Sequence, residues 1–177
     1  MQEQLGRLIE QSGLPIELRK IDISYVTPGV QAICNSVFSS TGIIYLYGNG
    51  IGKTTNAAAI LMSYLNGYRD SVSIDDIGLF TTAYELCMHN KSRYGMDAWL
   101  TERLEAIKRC KCLVLDDVFS YLTQQDDMLL QTIFDMRQYC GGVTVITSSV
   151  ANPLDCAGSV LHRIARSAKY REEFTCQ

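Results

Sequence analysis

The stretch Ile43-Ile44-Tyr45-Leu46-Tyr47-Gly48-Asn49-Gly50-Ile51-Gly52-Lys53-Thr54-Thr55 constrains this chain more than any other. An apolar run breaks into alternating glycines and ends in Gly-Lys-Thr. It continues as Asn56-Ala57-Ala58-Ala59-Ile60-Leu61, a segment rich in helix formers. The pattern predicts a buried strand, a tight turn and a helix, with the backbone N–H groups of the turn facing a polyphosphate. Residues Gly48, Asn49, Gly50, Ile51, Gly52, Lys53, Thr54 and Thr55 form the cradle. Lys53 is placed to reach the terminal phosphates, and the Thr54 hydroxyl to ligate Mg²⁺. The strict pattern wants glycine where Tyr47 stands, with the nearest glycine at Gly48. Either Tyr47 takes the first-glycine position or the loop is one residue shorter.

At 177 residues the chain suits one α/β domain, and its 47% apolar composition supplies a substantial core. A net charge of −3 argues against a globally basic nucleic-acid binder, so any DNA contact is local. The seven cysteines are scattered and contain no Cys-x-x-Cys, and only two histidines accompany them. Neither a zinc site nor a disulfide framework is readable, and the thiols are expected to be small buried hydrophobes. The first residues lack a basic segment followed by an apolar core, and no apolar run approaches the ~18 residues of a membrane span. These features predict a cytoplasmic protein.

Hydrophobic spacing predicts the elements in turn. Residues 3–12 form a short helix with Leu5, Leu8 and Ile9 on one stripe, stopped by Gly13 and Pro15; this reads as a small N-terminal appendage. A strand over 43–47 and a helix over 53–66 flank the glycine turn, with Ala57, Leu61, Tyr64 and Leu65 facing the core. A strand over 77–81, helices near 83–89 and 98–109, and a strand over 112–116 follow. Thr123 and Asp126 make a cap-like start to a helix over 124–139. A strand over 143–147, a short helix around 160–164 and a possible last strand over 168–174 complete the series. Strands alternating with helices imply a mainly parallel sheet covered on both faces.

Two further constellations carry chemistry. Leu113-Val114-Leu115-Asp116-Asp117 ends an apolar strand in two acids, the end at which ligands bind in an open α/β sheet. Asp116 is placed to hold Mg²⁺ and Asp117 to polarise the attacking water. Val143-Thr144-Val145-Ile146-Thr147-Ser148-Ser149 ends another strand in small hydroxyl residues, one of which could sit beside the γ-phosphate and position water. Arg163, within an otherwise apolar helix, is either a solvated surface charge or a finger inserted into a neighbouring subunit's site.

Together these motifs resemble the AAA+ ATPases of the DnaC-type helicase loaders and the IstB-type transposition ATPases, over roughly residues 12–174. Ser12-Gly13-Leu14-Pro15 is similar to the family's Gly-Ile/Leu-Pro segment, and Leu79-Phe80-Thr81-Thr82-Ala83-Tyr84-Glu85-Leu86 to its second strand and following helix. The acidic pair matches the loaders' double-aspartate Walker B, and Met136-Arg137-Gln138-Tyr139 their Arg-Tyr position before the sensor strand. The resemblance implies a three-layer P-loop NTPase of the ASCE type, with residues 1–40 a short helical and extended segment and 41–177 the ATPase core. It implies Asp116 as the Mg²⁺ acid, Asp117 as the water-activating acid, Arg163 as the arginine finger and Ser149 at the sensor position, where the family usually has asparagine. It further implies ATP/ADP binding, a homo-oligomer with ATP, and contact with single-stranded DNA. The protein partner is a replicative helicase or, in the alternative, a transposase. The stop at Gln177 leaves no room for a full helical lid, and about 40 residues before the first strand are too few for a separate partner-binding domain.

The leading expectation is a slow, assembly-dependent ATPase acting as a helicase loader in DNA replication. A small-molecule kinase is disfavoured because no arginine-rich lid segment is readable. A noncatalytic regulatory subunit is the remaining alternative. For DNA, Lys91, Arg93, Lys108, Arg109 and Lys111 are candidate phosphate contacts, and Phe80, Tyr84 and Tyr94 candidate stacking residues.

Overall fold

In the computed structural model, the residues described are 2–36, 41–67, 78–91, 98–118, 123–152, 154 and 159–175. The elements run α1 (Gln2–Gln11), α2 (Pro28–Ser36), β1 (Gly42–Tyr47), α3 (Lys53–Gly67), β2 (Gly78–Thr82), α4 (Ala83–Asn90) and α5 (Ala98–Arg109). They continue with β3 (Cys112–Asp116), α6 (Gln124–Cys140), β4 (Val143–Ser148), α7 (Val160–Ser167) and β5 (Tyr170–Glu173). Ile77, expected to open β2, and Arg93 and Tyr94 lie outside the described residues.

The five strands form one sheet in the order β2-β3-β4-β1-β5, and every registered pair is parallel. Central β3 and β4 are buried along their whole length, as parallel strands covered on both faces must be. β5, Tyr-Arg-Glu-Glu, alternates half-buried with exposed positions, and its outward charges blunt the sheet edge.

Strand alternation divides the core into two layers. Ile44, Leu46, Val114 and Val145 pack beneath α3, together with Leu8 of α1 and Val30 and Cys34 of α2. Ile43, Tyr45, Leu113, Leu115 and Ile146 face α4, α5, α6 and α7 on the other side. This is a three-layer α/β arrangement.

The N-terminal stretch is more than the expected appendage. Leu8, Leu14, Val30 and Cys34 are buried in the same cluster as α3, and the Phe80 N–H donates to the Ser12 carbonyl, covering the β2 edge. Flanked in this way, α3 buries Asn56 through Leu61 continuously instead of along one stripe. Four of the described cysteines, Cys34, Cys87, Cys110 and Cys112, are buried thiols outside any disulfide. Burial, with the nearby Asp126 carboxylate adding to it, pushes the Cys87 thiol up to about 12, so it stays protonated and can donate to that carboxylate.

α6 begins in the expected capping box: the Thr123 hydroxyl accepts from the Asp126 N–H, and the Asp126 carboxylate accepts from the Thr123 N–H. It ends at Gly141, whose left-handed φ of 70° closes the helix. Near that end Arg137 is almost fully buried. Its Nε donates to Thr144 Oγ1 at 3.0 Å, Nη1 to the carbonyls of Ile107 (3.0 Å) and Cys110 (2.6 Å), and Nη2 to the Val143 carbonyl (3.0 Å). One guanidinium thereby ties α6, the end of α5 and the start of β4 together at the N-terminal edge of the sheet.

The opposite edge holds the site. From β1 the chain crosses to β2 at one side of the sheet; from β4 it crosses to β5 at the other. The two connections leave adjacent β1 and β4 in opposite directions and on opposite faces, a reversal of strand order of the kind at which ligands bind in such sheets.

Candidate nucleotide site

β1 delivers the chain to the glycine turn at this edge of the sheet. Tyr47 is the last strand residue, and its carbonyl accepts from the Phe174 N–H at 2.7 Å. Gly48 turns the backbone at φ 106°, and Gly52 does so again at φ 96° before α3 begins at Lys53. L side chains rarely adopt such angles, so both turns require glycine. The Gly50 N–H donates to the Phe174 carbonyl at 2.7 Å, which seats the segment after β5 against the loop. Lys53 Nζ donates to the Gly50 carbonyl, and Ile51 stands exposed at the tip.

β3 and β4 supply the rest. Register aligns Leu115 with Ile146, so Asp116 and Thr147 end side by side. Asp116 Oδ1 accepts from the Thr147 hydroxyl at 2.6 Å, and Oδ2 accepts from the Thr54 hydroxyl at 3.2 Å. The two acceptances join β3, β4 and the loop through one carboxylate. Burial pushes the Asp116 carboxyl above its ordinary value, with the nearby Asp117 charge adding to the rise, while the hydrogen bonds from Thr147 and Thr54 oppose it. Among the described residues no cationic side chain neutralises this buried acid.

Asp117 is exposed at φ 54°, the one described non-glycine residue with positive φ. Its N–H donates to Thr147 Oγ1 at 2.8 Å, and the following Val118 N–H donates to the Thr147 carbonyl at 2.9 Å. These bonds hold a costly backbone conformation that aims the Asp117 side chain away from the buried strand. Thr147 therefore positions both acids.

Of the expected site residues, Lys53, Thr54, Asp116 and Asp117 come together at the sheet edge. Ser149 is exposed one residue beyond β4, while Ser148 turns inward and donates to the Val118 carbonyl at 2.7 Å. Arg163 lies on the α6–α7 surface. Its Nη2 donates to Asp135 Oδ1 at 2.6 Å, Nη1 to Gln131 Oε1 at 3.4 Å, and its guanidinium carbon sits 5.1 Å from the Phe134 ring centroid.

The DNA candidates separate as well. Phe80 is 3% exposed and is not available to stack, whereas Tyr84 is 63% exposed. Lys91 pairs with the buried Asp126 carboxylate at 3.1 Å. Lys108, Arg109 and Lys111 are exposed where α5 runs into β3, at the sheet edge opposite the site.

Two residues at the site were not singled out in the sequence. Thr147 sat unresolved among three hydroxyl residues. Asn56 looked like one more helix position, yet it is buried, its Nδ2 donates to the Gly52 carbonyl at 2.8 Å, and its Oδ1 accepts from the Thr27 N–H at 3.0 Å. A polar residue inside an alanine-rich helix, three positions beyond the loop lysine, was the available signal.

No family model and no curated protein sequence matches the chain. Solved structures do. A structure of DnaI superposes with a TM-score of 0.66 at 22% identity, covering 95% of this chain and 98% of the other. The DnaC helicase loader gives 0.61 at 16% identity, covering 92% and 100%. A replication initiator DnaA bound to AMPPCP and single-stranded DNA gives 0.59 at 18% identity, covering 84% of this chain and 44% of the initiator. This chain likewise spans about half (49%) of a DNA replication initiation factor with the same architecture. Among the described residues no helix is long and apolar enough to cross a membrane. The parallel sheet, its strand order and these superpositions show that the chain has the three-layer α/β fold of the DnaI, DnaC and DnaA structures.

Proposed function

We propose that this protein is an ATPase of DNA replication that binds ATP and ADP with Mg²⁺, hydrolyses ATP slowly when assembled, and engages single-stranded DNA and a replicative helicase. The observation that carries the nucleotide reading is the bridge from the Thr54 hydroxyl through the Asp116 carboxylate to the Thr147 hydroxyl. A buried acid and a loop hydroxyl 3.2 Å apart, with no cationic side chain beside them among the described residues, are hard oxygen donors suited to Mg²⁺. Among the described residues no cluster of three or more His, Cys, Asp or Glu assembles, so the remaining ligands would be phosphate oxygens and water. The replication reading rests on similarity of fold to the DnaC helicase loader and to DnaA bound to AMPPCP and single-stranded DNA.

In this reading Thr54 and Asp116 hold the metal, which supplies charge neutralisation at the phosphates. Lys53 leaves the Gly50 carbonyl to contact the terminal phosphate, and the N–H groups of residues 51–55 cradle the polyphosphate, those of Gly48 and Gly50 being held by the carbonyls of Val150 and Phe174. Asp117, fixed by Thr147, orients water for in-line attack. Arg163 serves a neighbouring copy, because in its own chain it faces Asp135 and Gln131 on α6. Ser149 is exposed where it can approach the γ-phosphate. Hydrolysis needs positioning and charge stabilisation more than covalent participation by the protein.

Calorimetry tests the binding half: Lys53→Ala should abolish affinity for Mg²⁺-ATP, and unchanged affinity would remove the loop from the mechanism. Asp117→Asn should keep ATP and lose turnover, a deficit confined to the transition state. If the wild-type protein has no ATPase activity with single-stranded DNA and a helicase present, a noncatalytic nucleotide-binding regulator becomes the better description.

A further inference from the structure

Asn56 occupies a position where chemistry disfavours it. Asparagine is a weak helix former, it is buried among Ala57, Ala58 and Ala59, and an unsatisfied amide there would be costly. Both ends of its side chain are nonetheless satisfied outside the helix ladder. Nδ2 donates to the carbonyl of Gly52, which also receives the Asn56 backbone N–H at 2.9 Å. Oδ1 accepts from the N–H of Thr27, the residue immediately before α2, whose own hydroxyl accepts from the Val30 N–H at 3.3 Å. Only this orientation of the amide matches donor to acceptor at both ends.

Gly52 is the left-handed residue that turns the loop into α3, and its peptide bond continues into Lys53. Its carbonyl direction fixes the plane of the Gly52–Lys53 peptide and hence the direction of the Lys53 N–H. Two donors from one residue pin that carbonyl, and the residue is itself pinned by the start of α2. Packing alone does not ask for this: leucine would fill a buried helix position at lower desolvation cost.

We propose that Asn56 is a positioning residue for the phosphate loop, which transmits the placement of the Thr27–α2 segment to the Gly52–Lys53 peptide and so sets nucleotide affinity. The proposal rests on the nucleotide reading of the loop and adds that the N-terminal segment is part of the binding apparatus. Anything that shifts α2 would then shift affinity without touching nucleotide.

The test compares Asn56→Leu, Asn56→Asp and a core control, Leu61→Ala, by calorimetric titration with Mg²⁺-ADP and by thermal melts without nucleotide. Asn56→Leu should fold and bind about 3–10-fold more weakly, the range of one or two lost hydrogen bonds. In Asn56→Asp the carboxylate still accepts from Thr27 but opposes the Gly52 carbonyl. Its affinity should therefore fall at least as far as that of Asn56→Leu, because two oxygens then face each other where a donor had held the Gly52 carbonyl. Leu61→Ala, destabilised in the same helix, should bind as wild type does once the folded fraction is accounted for. Wild-type affinity in both Asn56 variants, or an equal loss in Leu61→Ala, overturns the proposal. A wild-type protein that binds no nucleotide overturns the reading of the loop itself.

Discussion

The two edges of one parallel sheet are built on opposite principles. At the N-terminal edge a buried cation, Arg137, meets four oxygen acceptors, three of them backbone carbonyls, and each of its three nitrogens donates. At the C-terminal edge a buried acid, Asp116, meets two hydroxyls and, among the described residues, no cationic side chain, beside a non-glycine residue at φ 54° and a turn that needs glycine twice. The first edge has finished its electrostatics within the chain and holds α5, α6 and β4 in place. The second has left a carboxylate raised by burial and a lysine parked on a loop carbonyl. In the function proposed, a nucleotide and its metal would complete the charges of this edge.

The N-terminal edge depends on Arg137. Arg137→Ala should cost about 3–5 kcal/mol of stability by leaving several buried carbonyls without a donor. Urea titration measures it, and nucleotide affinity corrected for the folded fraction should not change. A variant as stable as wild type would mean that the N-terminal edge is not held in this way.

A smaller effect of opposite sign is expected across the sheet. Because the folded-state carboxyl of Asp116 is raised, the folded protein favours its protonated form. Its ionisation therefore removes stability as pH rises from the ordinary value of 3.8 through the raised one, and returning to acid restores it. Asp116→Asn should raise the melting temperature of the nucleotide-free protein at neutral pH, flatten its pH dependence in that window and abolish Mg²⁺-dependent binding. Melts of both proteins across pH decide the matter; a destabilised variant would show that the acid is already compensated.

The smallest stability effect belongs to Arg163. Its pair with Asp135 is 42% and 51% exposed, so Arg163→Ala should shift stability by only about 0–1 kcal/mol. If the residue serves a neighbouring copy, ATPase rate per subunit should rise with assembly, and the variant should lose that rise while keeping nucleotide. Mixing Arg163→Ala with Asp117→Asn should restore hydrolysis at mixed interfaces. Activity independent of protein concentration would leave Arg163 as a surface charge.

What the sequence disclosed depended on distance along the chain. The capping box at Thr123 and Asp126, the turn between β1 and α3, and the run Cys112–Asp116 are local, so their residue types declare them. The α2 helix was overlooked although Val30, Ile33 and Cys34 repeat at helical spacing after Pro28, a residue well suited to a first helical position. Thr147 could not be chosen over Ser148 or Ser149, because the choice rests on the register that aligns β4 with β3. Asn56 lay further out of reach: its role depends on Thr27, 29 residues away across two packed elements.

Under the proposed function nucleotide is taken up at the C-terminal edge of the sheet and not at the Arg137 edge. Backbone amide spectra of isotopically labelled protein, recorded while Mg²⁺-ADP is added, test it most directly. Saturable shifts should appear at Gly50, Gly52, Thr54 and Asp117, while Arg137, Gly141 and Gly142 at the other edge stay unmoved. Shifts centred on the Arg137 edge, or none at the loop at millimolar nucleotide, would contradict it.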